Sequence, residues 1–370
     1  MQSAGTRLLQ VLFSFRVGGS EMFGLELARQ FVEHGVQVQC GALDGSRGPL
    51  WERCLSYGIE PVELGVPTRN ILSRNGLSLA LARRLRELRP HALHLQHFLG
   101  LHKLGIPARL AGIPRVVVTE HTIFDVDQSA AGRLRARLDW RLADAITVIH
   151  PGLRDYLSQR LAIPLERLTV IPLGVETERF TRRERAATRA RLGLGEDLTF
   201  VFVGRLAPVK NVTGLIAGFL NVVARRGGGA CLIVVGDGTE RAACERLRAH
   251  HPYGRLVHLV GEQGDTRPFL SAGDVFVMNS QNEGTPRALL EAMSTGLPAI
   301  CPAIGGIPEI LRGRGWITRA GDPASLEAAL EQVIAEPGEI AALGARCREY
   351  VLTHFDAASV FEQYRELLLG

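Results

Sequence analysis

Apolar runs of roughly four to eight residues alternate along the whole chain with stretches in which apolar residues recur at helical spacing, a pattern that predicts repeated βα units. The runs are apolar throughout instead of alternating with polar residues, so the strands are expected in parallel sheets covered on both faces. In the first half they read "LLQVLFSF", "VQVQCGAL", "ALHLQHF", "RVVVTEH" and "AITVIH"; in the second, "LTFVFVGR", "ACLIVVGDG", "RLVHLVG", "DVFVMNS" and "LPAICPA". Each set is long enough for its own doubly wound sheet, and 370 residues exceed what one core usually serves. The fold class is therefore α/β with two domains.

Between the sets, "LTVIPLGVETERFTRRERAATRARLGLGED" carries a Pro-Leu-Gly turn and an Arg-rich helical stretch with little apolar face, which reads as the hinge. The tail from Asp356 places Val360, Phe361, Tyr364, Leu367 and Leu368 at helical spacing, so it needs a surface to pack on and is expected back on the first domain. The expected division is 1–173, 174–355 and a returning helix at 356–370.

Composition changes this picture little: 46% hydrophobic and 22% charged residues describe an ordinary globular chain. Six scattered cysteines without a C-x-x-C predict reduced core thiols and no zinc site. The N-terminus runs straight into a strand and a Gly-rich turn, and no apolar run approaches the ~20 residues that span a bilayer, so a cytoplasmic protein is expected. The net charge of +5 is uneven, with 21 basic against 15 acidic residues over 1–173 and 22 against 23 beyond. Nucleic-acid binding has little support, the charge being modest and aromatics only 6%. Lys103 and Lys210 are the only lysines among 43 basic residues.

In open α/β sheets ligands bind beyond the carboxyl ends of the strands, and every candidate motif falls at such an end. Gly18 and Gly19 follow the first strand and precede a helix beginning near Ser20, where exposed N–H groups favour an anion; the pair also reads as a tight turn with a Ser cap. The first strand of the second half ends "FVGRLAPVKN", so Gly204 is followed by Arg205 and Lys210, two cations able to neutralise a diphosphate, or a pair of solvated charges. Gly236 and Gly238 form a bare G-x-G in which Arg241 stands where a third glycine would complete a dinucleotide fingerprint, so this is a tight βα turn near the nucleotide.

The stretch "NEGTPRALLEAMSTG" puts Glu283 and Gly284 before a helix that Thr285 is expected to cap, with Pro286 in its first position and free N–H groups at Arg287 and Ala288. Glu291 follows two turns on. The two carboxylates are too far apart to share one anion. They suit hydroxyls on either side of it, and a nucleotide sugar has that sequence of groups: sugar hydroxyls, diphosphate, ribose hydroxyls.

"GGSE", "EHT" at Glu120 to Thr122, "GRLAPVK", "GDG" and E-x7-E in "EGTPRALLE" occur here in the order found in the retaining glycosyltransferases of family 4, which the chain resembles over essentially its whole length. The resemblance implies the GT-B fold: two Rossmann-like domains facing a central cleft, with a last helix crossing back to the N-domain. It implies that Arg205 and Lys210 bind the donor diphosphate, helped by N–H groups of Gly19 and of the helix after Thr285. It also implies that Glu291 holds the ribose, Glu283 the donor sugar hydroxyls, and His121 a sugar hydroxyl. His121 also reads as a strand-end histidine satisfied locally, and of His94 and His97 alternation lets only one face the cleft. The family commonly has Asn where Leu173 stands, and apolar residues where Thr285 and Arg287 stand.

The implied chemistry is metal-independent and uses no cofactor: a hexose-type sugar passes, with retention, from a UDP- or GDP-sugar to a hydroxyl of a lipid-linked or soluble saccharide, as in bacterial cell-surface polysaccharide or glycolipid synthesis. Same-face attack assisted by the leaving phosphate is expected, with Glu283 as a nucleophile the alternative. "DVD" at Asp125 to Asp127 resembles a metal-binding D-x-D of another glycosyltransferase fold, but its setting argues against an essential metal. Arg133, Arg137 and Arg141 form a stripe beside Leu134, Leu138 and Leu142, suited to anionic membrane at the inner face or to solvent. Rival readings are a nucleotide-sugar epimerase of the same fold and a non-catalytic two-domain sugar-binding protein.

Overall fold

A computed structural model describes residues 5–66, 79–122 and 130–370. The chain divides into two compact units, one made of Met1–Gly174 with Ala358–Gly370 and the other of Val175–Ala357. The sheet of the first unit contains β1 (Arg7–Leu12), β2 (Gln37–Ala42), β3 (Glu60–Val62), β4 (Ala92–Leu95), β5 (Arg115–Glu120), β6 (Ala145–Val148) and β7 (Leu168–Val170) in the order β3-β2-β1-β4-β5-β6-β7. That of the second contains β8 (Leu198–Val203), β9 (Ala230–Val235), β10 (Val257–Gly261), β11 (Val275–Val277), β12 (Ala299–Pro302) and β13 (Gly315–Thr318) in the order β10-β9-β8-β11-β12-β13. All pairings among these strands are parallel. Both sheets are doubly wound, as the apolar runs predicted.

The central strands were readable because helices bury them on both sides: β9 is buried at every position. Three edge strands were not. β3 and β7 are three residues each, and β13 is buried only at its last position. The residues of β7, expected at the start of the hinge, instead pair with β6 as the last strand of the first sheet.

The Arg-rich stretch is also more structural than its composition suggested. It belongs to the second unit, and its guanidinium groups tie the helix Arg267–Ala272 and the start of β8 together. Arg185 donates to the carbonyls of Ala272 and Gly273 and to Asp274 at 2.7–2.9 Å. Arg189, nearly buried, donates to the carbonyls of Gly195, Asp197 and Ala272. A guanidinium carries five donors on one planar group, so it can satisfy several loop and helix-end carbonyls where an apolar face would contribute nothing.

The C-terminal helix Ala357–Leu369 buries Val360, Phe361, Tyr364 and Leu368. Phe361 meets Phe31 edge-on at 4.9 Å, and Tyr364 lies against Phe23 and His94. The helix is thereby part of the first unit, although the chain reaches it only after completing the second. All six cysteines are free and buried. Among the described residues no helix is long and apolar enough to cross a membrane, and no cluster of His, Cys, Asp or Glu could hold a metal ion. Asp125 and Asp127 lie outside the described residues.

Candidate functional site

Each sheet reverses its winding between two neighbouring strands, β1 and β4 in the first unit and β8 and β11 in the second. Loops leaving the carboxyl ends of such a pair diverge to opposite faces and leave a crevice. Except Gly236, which follows β9, the sequence candidates of the second unit fall after β8 and β11, on the loops and the start of the helix Arg287–Ser294. The backbone joins these loops directly, Gln281 N–H donating to Val209 carbonyl at 2.8 Å. Lys210 donates to Glu283 at 2.5 Å, with only 24% of the lysine side chain and 10% of the glutamate side chain exposed. Two residues expected at adjoining parts of a donor, its diphosphate and its sugar, thus meet each other. Arg205, beside them in sequence, is exposed and makes no side-chain hydrogen bond or ion pair among the described residues.

Glycine serves two purposes in these loops. Gly236 has φ of +135° and a Cβ there would stand 1.9 Å from the Gly204 carbonyl oxygen; at Gly238 it would stand 2.4 Å from that of Leu206. The G-x-G turn is therefore a packing device that lets the loop after β9 lie against the loop after β8, sealed by Leu206 N–H donating to Asp237 carbonyl. Arg241, in the place of the missing third glycine, pairs with Glu245 at 2.6 Å.

The opening of the helix Arg287–Ser294 differs from expectation. Pro286 is the N-cap residue and no side chain caps the helix, so the assignment of that role to Thr285 is corrected. The Thr285 hydroxyl is buried without a partner, as is that of Ser280. The N–H groups of Arg287 and Ala288 have no acceptor among the described residues. A buried hydroxyl without a partner costs about 1–3 kcal/mol, so Ser280 and Thr285 join these N–H groups as candidates for ligand contact. Arg287 donates through Nε to Glu291 at 3.0 Å. Burial pushes the Glu291 carboxyl above its ordinary range, and the Arg287 guanidinium works against that push.

Sequence reading missed the brace behind Glu283. Gly305, after β12, has φ of +53°, and a Cβ there would stand 2.1 Å from the Glu283 carbonyl oxygen. Gly306 N–H donates to the Gly284 carbonyl at 2.9 Å. A Gly-Gly pair after a strand was the available signal.

In the first unit the helix Gly19–Glu33 is capped by Gly18 without a side chain, which removes the reading of Ser20 as cap. A Cβ on Gly18 would meet the Glu21 carboxylate at 2.3 Å, whereas one on Gly19 would meet nothing within 4 Å. Ser20 donates to Glu21 at 2.9 Å. The open backbone position is thus Gly19, and the helix start already carries a carboxylate.

His121 is buried, 4% exposed, and its Nε2 lies 2.7 Å from Gln96 Oε1. Since an amide oxygen only accepts, Nε2 carries the ring proton and Nδ1 is the acceptor. Glu120, equally buried, accepts from the N–H groups of His121 and Phe98 at 2.9 Å each, binding the ends of β4 and β5 together. Gln96 and Glu120 thus hold the ring and the backbone of His121; Glu120 belongs to the quoted "EHT" motif but was given no role there, and Gln96 was not singled out. His94 is fully buried between Gln10 and Thr119, and a polar chain continues through Thr147 and Tyr364. His97 lies beyond the strand, with Glu120 and Ser20 each at 3.3 Å.

Burial lowers His94 to about 3, and lowers His121 well below its ordinary value with help from His97 and His94. Both rings are neutral in the folded chain at pH 7. The unfolded chain takes up these protons below about pH 6.5, whereas the folded chain holds back, so stability is full above that value and falls as pH drops toward 3. The expected slope is roughly 1.4 kcal/mol per pH unit for each group. His94→Gln should flatten the fall in urea-unfolding free energy of the first unit between pH 6.5 and 5; an unchanged slope would reject this origin.

Comparison with known proteins adds an independent line. Residues 17–179 match the family described as Glycosyltransferase Family 4, and residues 197–336 match Glycosyl transferases group 1. The N-acetyl-alpha-D-glucosaminyl L-malate synthase of Bacillus anthracis is 23% identical over 364 residues, 95% of this chain and 93% of that protein. A GDP-mannose-dependent alpha-(1-6)-phosphatidylinositol monomannoside mannosyltransferase of Mycolicibacterium smegmatis is 29% identical over 288 residues, 72% and 73% of the two chains. The solved structure of Anabaena HepE in complex with UDP superposes with a TM-score of 0.82 at 18% identity, covering 98% of both chains.

Proposed function

Because the chain belongs to the GT-B glycosyltransferases of the group 1 and family 4 type, we propose that its second unit binds a nucleoside diphosphate sugar whose sugar is transferred, with retention, to a hydroxyl acceptor. The observation that carries this reading is the meeting of Lys210 and Glu283 at the switch point of the second sheet, on the segment that leads to the N–H groups of Arg287 and Ala288, which have no acceptor among the described residues. A cation next to a helix start suits a diphosphate, and a carboxylate next to the cation suits hydroxyls of the attached sugar.

In this proposal Arg205 and Lys210 stabilise the charge that develops as the diphosphate departs, a task that needs no metal ion. Glu283 accepts from donor sugar hydroxyls and Glu291 from the ribose. The buried hydroxyls of Ser280 and Thr285 find their partners on the bound donor. Gly18, Gly19 and His121 keep the roles that the resemblance implies, with Nδ1 of His121 as the atom left to accept a hydroxyl.

The base and the sugar are the finer part of the proposal. The Anabaena structure holds UDP and the mycobacterial relative uses GDP-mannose, so both series belong in the test. A thermal-shift screen of nucleoside diphosphates and their sugars should give stabilisation by one diphosphate and by its sugar, about 2.7 kcal/mol at a hundredfold excess over Kd. No response to any of them would overturn the transferase reading.

For the acceptor we propose a lipid-linked saccharide reached from an anionic surface. The helix Ala130–Asp139 exposes Leu134 (62%) and Leu138 (57%) beside Arg137. Arg141 follows in a short 3-10 turn, with its guanidinium 4.7 Å from the Trp140 ring. Vesicles containing phosphatidylglycerol should bind the protein in a salt-sensitive way that Arg133→Glu, Arg137→Glu and Arg141→Glu together abolish; equal binding by the triple variant would discard the surface.

A further inference from the structure

Arg287 stands in the first turn of the helix Arg287–Ser294, where the dipole disfavours a cation, and its partner Glu291 lies four residues further on. An i,i+4 pair with the acid on the C-terminal side is the weaker orientation for helix stability. Helix formation therefore does not account for this pair. Nor does solvation of a surface charge: 22% of the arginine side chain and 13% of the glutamate side chain are exposed, and the contact runs through Nε at 3.0 Å.

We infer that the Arg287 side chain is a positioning group, which holds the Glu291 carboxylate in place to accept from the paired hydroxyls of a ribose, and that its guanidinium, unlike its backbone N–H, is not a phosphate ligand. The inference rests on the donor reading above and narrows it. With Oε1 engaged by Arg287, Oε2 is the oxygen left for the ribose. Arg179 and Glu176 are the other charged groups facing Glu291; the first lowers its proton affinity and the second raises it. Arg179 and Glu176 pair with each other at 3.0 Å, so they largely offset one another and Arg287 sets the balance. Without Arg287 the burial of Glu291 acts nearly unopposed, and the carboxyl is protonated at a higher pH. A protonated carboxyl is a poorer acceptor, so nucleotide affinity becomes dependent on pH.

The test compares wild type, Arg287→Leu and Arg287→Lys by calorimetric titration with UDP, 2′-deoxy-UDP and inorganic pyrophosphate at pH 6 and pH 8, the guanosine series run in parallel. Arg287→Leu should weaken the preferred ribonucleotide by about tenfold at pH 6 and by less at pH 8, the scale of one charged hydrogen bond. Pyrophosphate should bind all three proteins within about twofold, and Arg287→Lys should recover part of the pH 6 loss. The 2′-deoxynucleotide, lacking one of the hydroxyls, should discriminate less between wild type and Arg287→Leu. An equal loss for pyrophosphate and nucleotide would make Arg287 a phosphate ligand and overturn the inference. So would unchanged nucleotide affinity in Arg287→Leu. Pyrophosphate binding to wild type without any nucleotide preference would overturn the donor reading as well.

Discussion

Lys210→Ala is expected to lower kcat/KM for the donor by about 10²–10³-fold, the scale of removing one preorganised group that stabilises charge in a transition state. Nucleotide diphosphate affinity should fall as well, by about tenfold or more, since a charged hydrogen bond contributes about 1.5–3 kcal/mol. The variant also strands Glu283, whose only side-chain partner among the described residues is Lys210, in a place where 10% of that side chain is exposed. Water at the partly exposed lysine screens some of the pair's energy, so the stability loss should be about 1–3 kcal/mol, below that of a fully buried pair. Glu283→Gln separates binding from chemistry: it keeps size and hydrogen-bonding capacity while removing the charge, so turnover should fall more than nucleotide affinity. Single-turnover rates and equilibrium titrations read the two effects independently. A Lys210→Ala protein with wild-type kcat/KM would remove the central residue of the proposal.

Gly305→Ala is expected to reduce turnover by about 10²-fold although residue 305 is not proposed to touch the donor, because a displacement of ~1 Å at a reacting group has that scale of effect. The added methyl would stand 2.1 Å from the Glu283 carbonyl and 2.5 Å from that of Gly284, both backbone atoms that can yield only if the loop moves. The left-handed backbone at φ of +53° adds about 1–2 kcal/mol of strain for any residue with a Cβ. Gly313→Ala is the matched control: its φ is +70°, but a Cβ there meets nothing within 4 Å. Both variants should lose stability to the left-handed backbone, Gly305→Ala by more because of the added clash, and only Gly305→Ala should lose turnover at temperatures where both remain folded. Equal activity in the two would show that the Glu283 loop does not depend on this brace.

How much of this was legible depended on what each feature needed to be seen. The inner strands announced themselves because both faces are buried and every position must be apolar. β3, β7 and β13 lie at or near sheet edges with few buried positions, and their residues carry no comparable pattern. Lys210 and Glu283 could be picked out because they lie in loops past strands, where parallel topology opens a crevice, and Glu291 by its E-x7-E spacing from Glu283 on the following helix. That Lys210 and Glu283 touch, 73 residues apart, could not. The same holds for Gln96 with His121 and for Gly305 with Glu283. The expected Thr285 cap failed for a local reason: the helix starts one residue later, leaving Pro286 at its boundary.

Hydrophobic periodicity and loop motifs are properties of neighbouring residues, so the inner strands of both sheets, the family resemblance and the order of chemical groups could be read along the chain. Which of those groups meet is settled by the folded chain alone. The winding order of each sheet brings β8 beside β11 and β1 beside β4, and that adjacency pairs Lys210 with Glu283. It also decided the state of the buried groups. The neutral imidazoles of His94 and His121 follow from lost solvent, and the glycines at 236 and 305 from backbone atoms that approach from other loops. Burial and close approach arise between segments distant in the chain, so no local pattern encodes them.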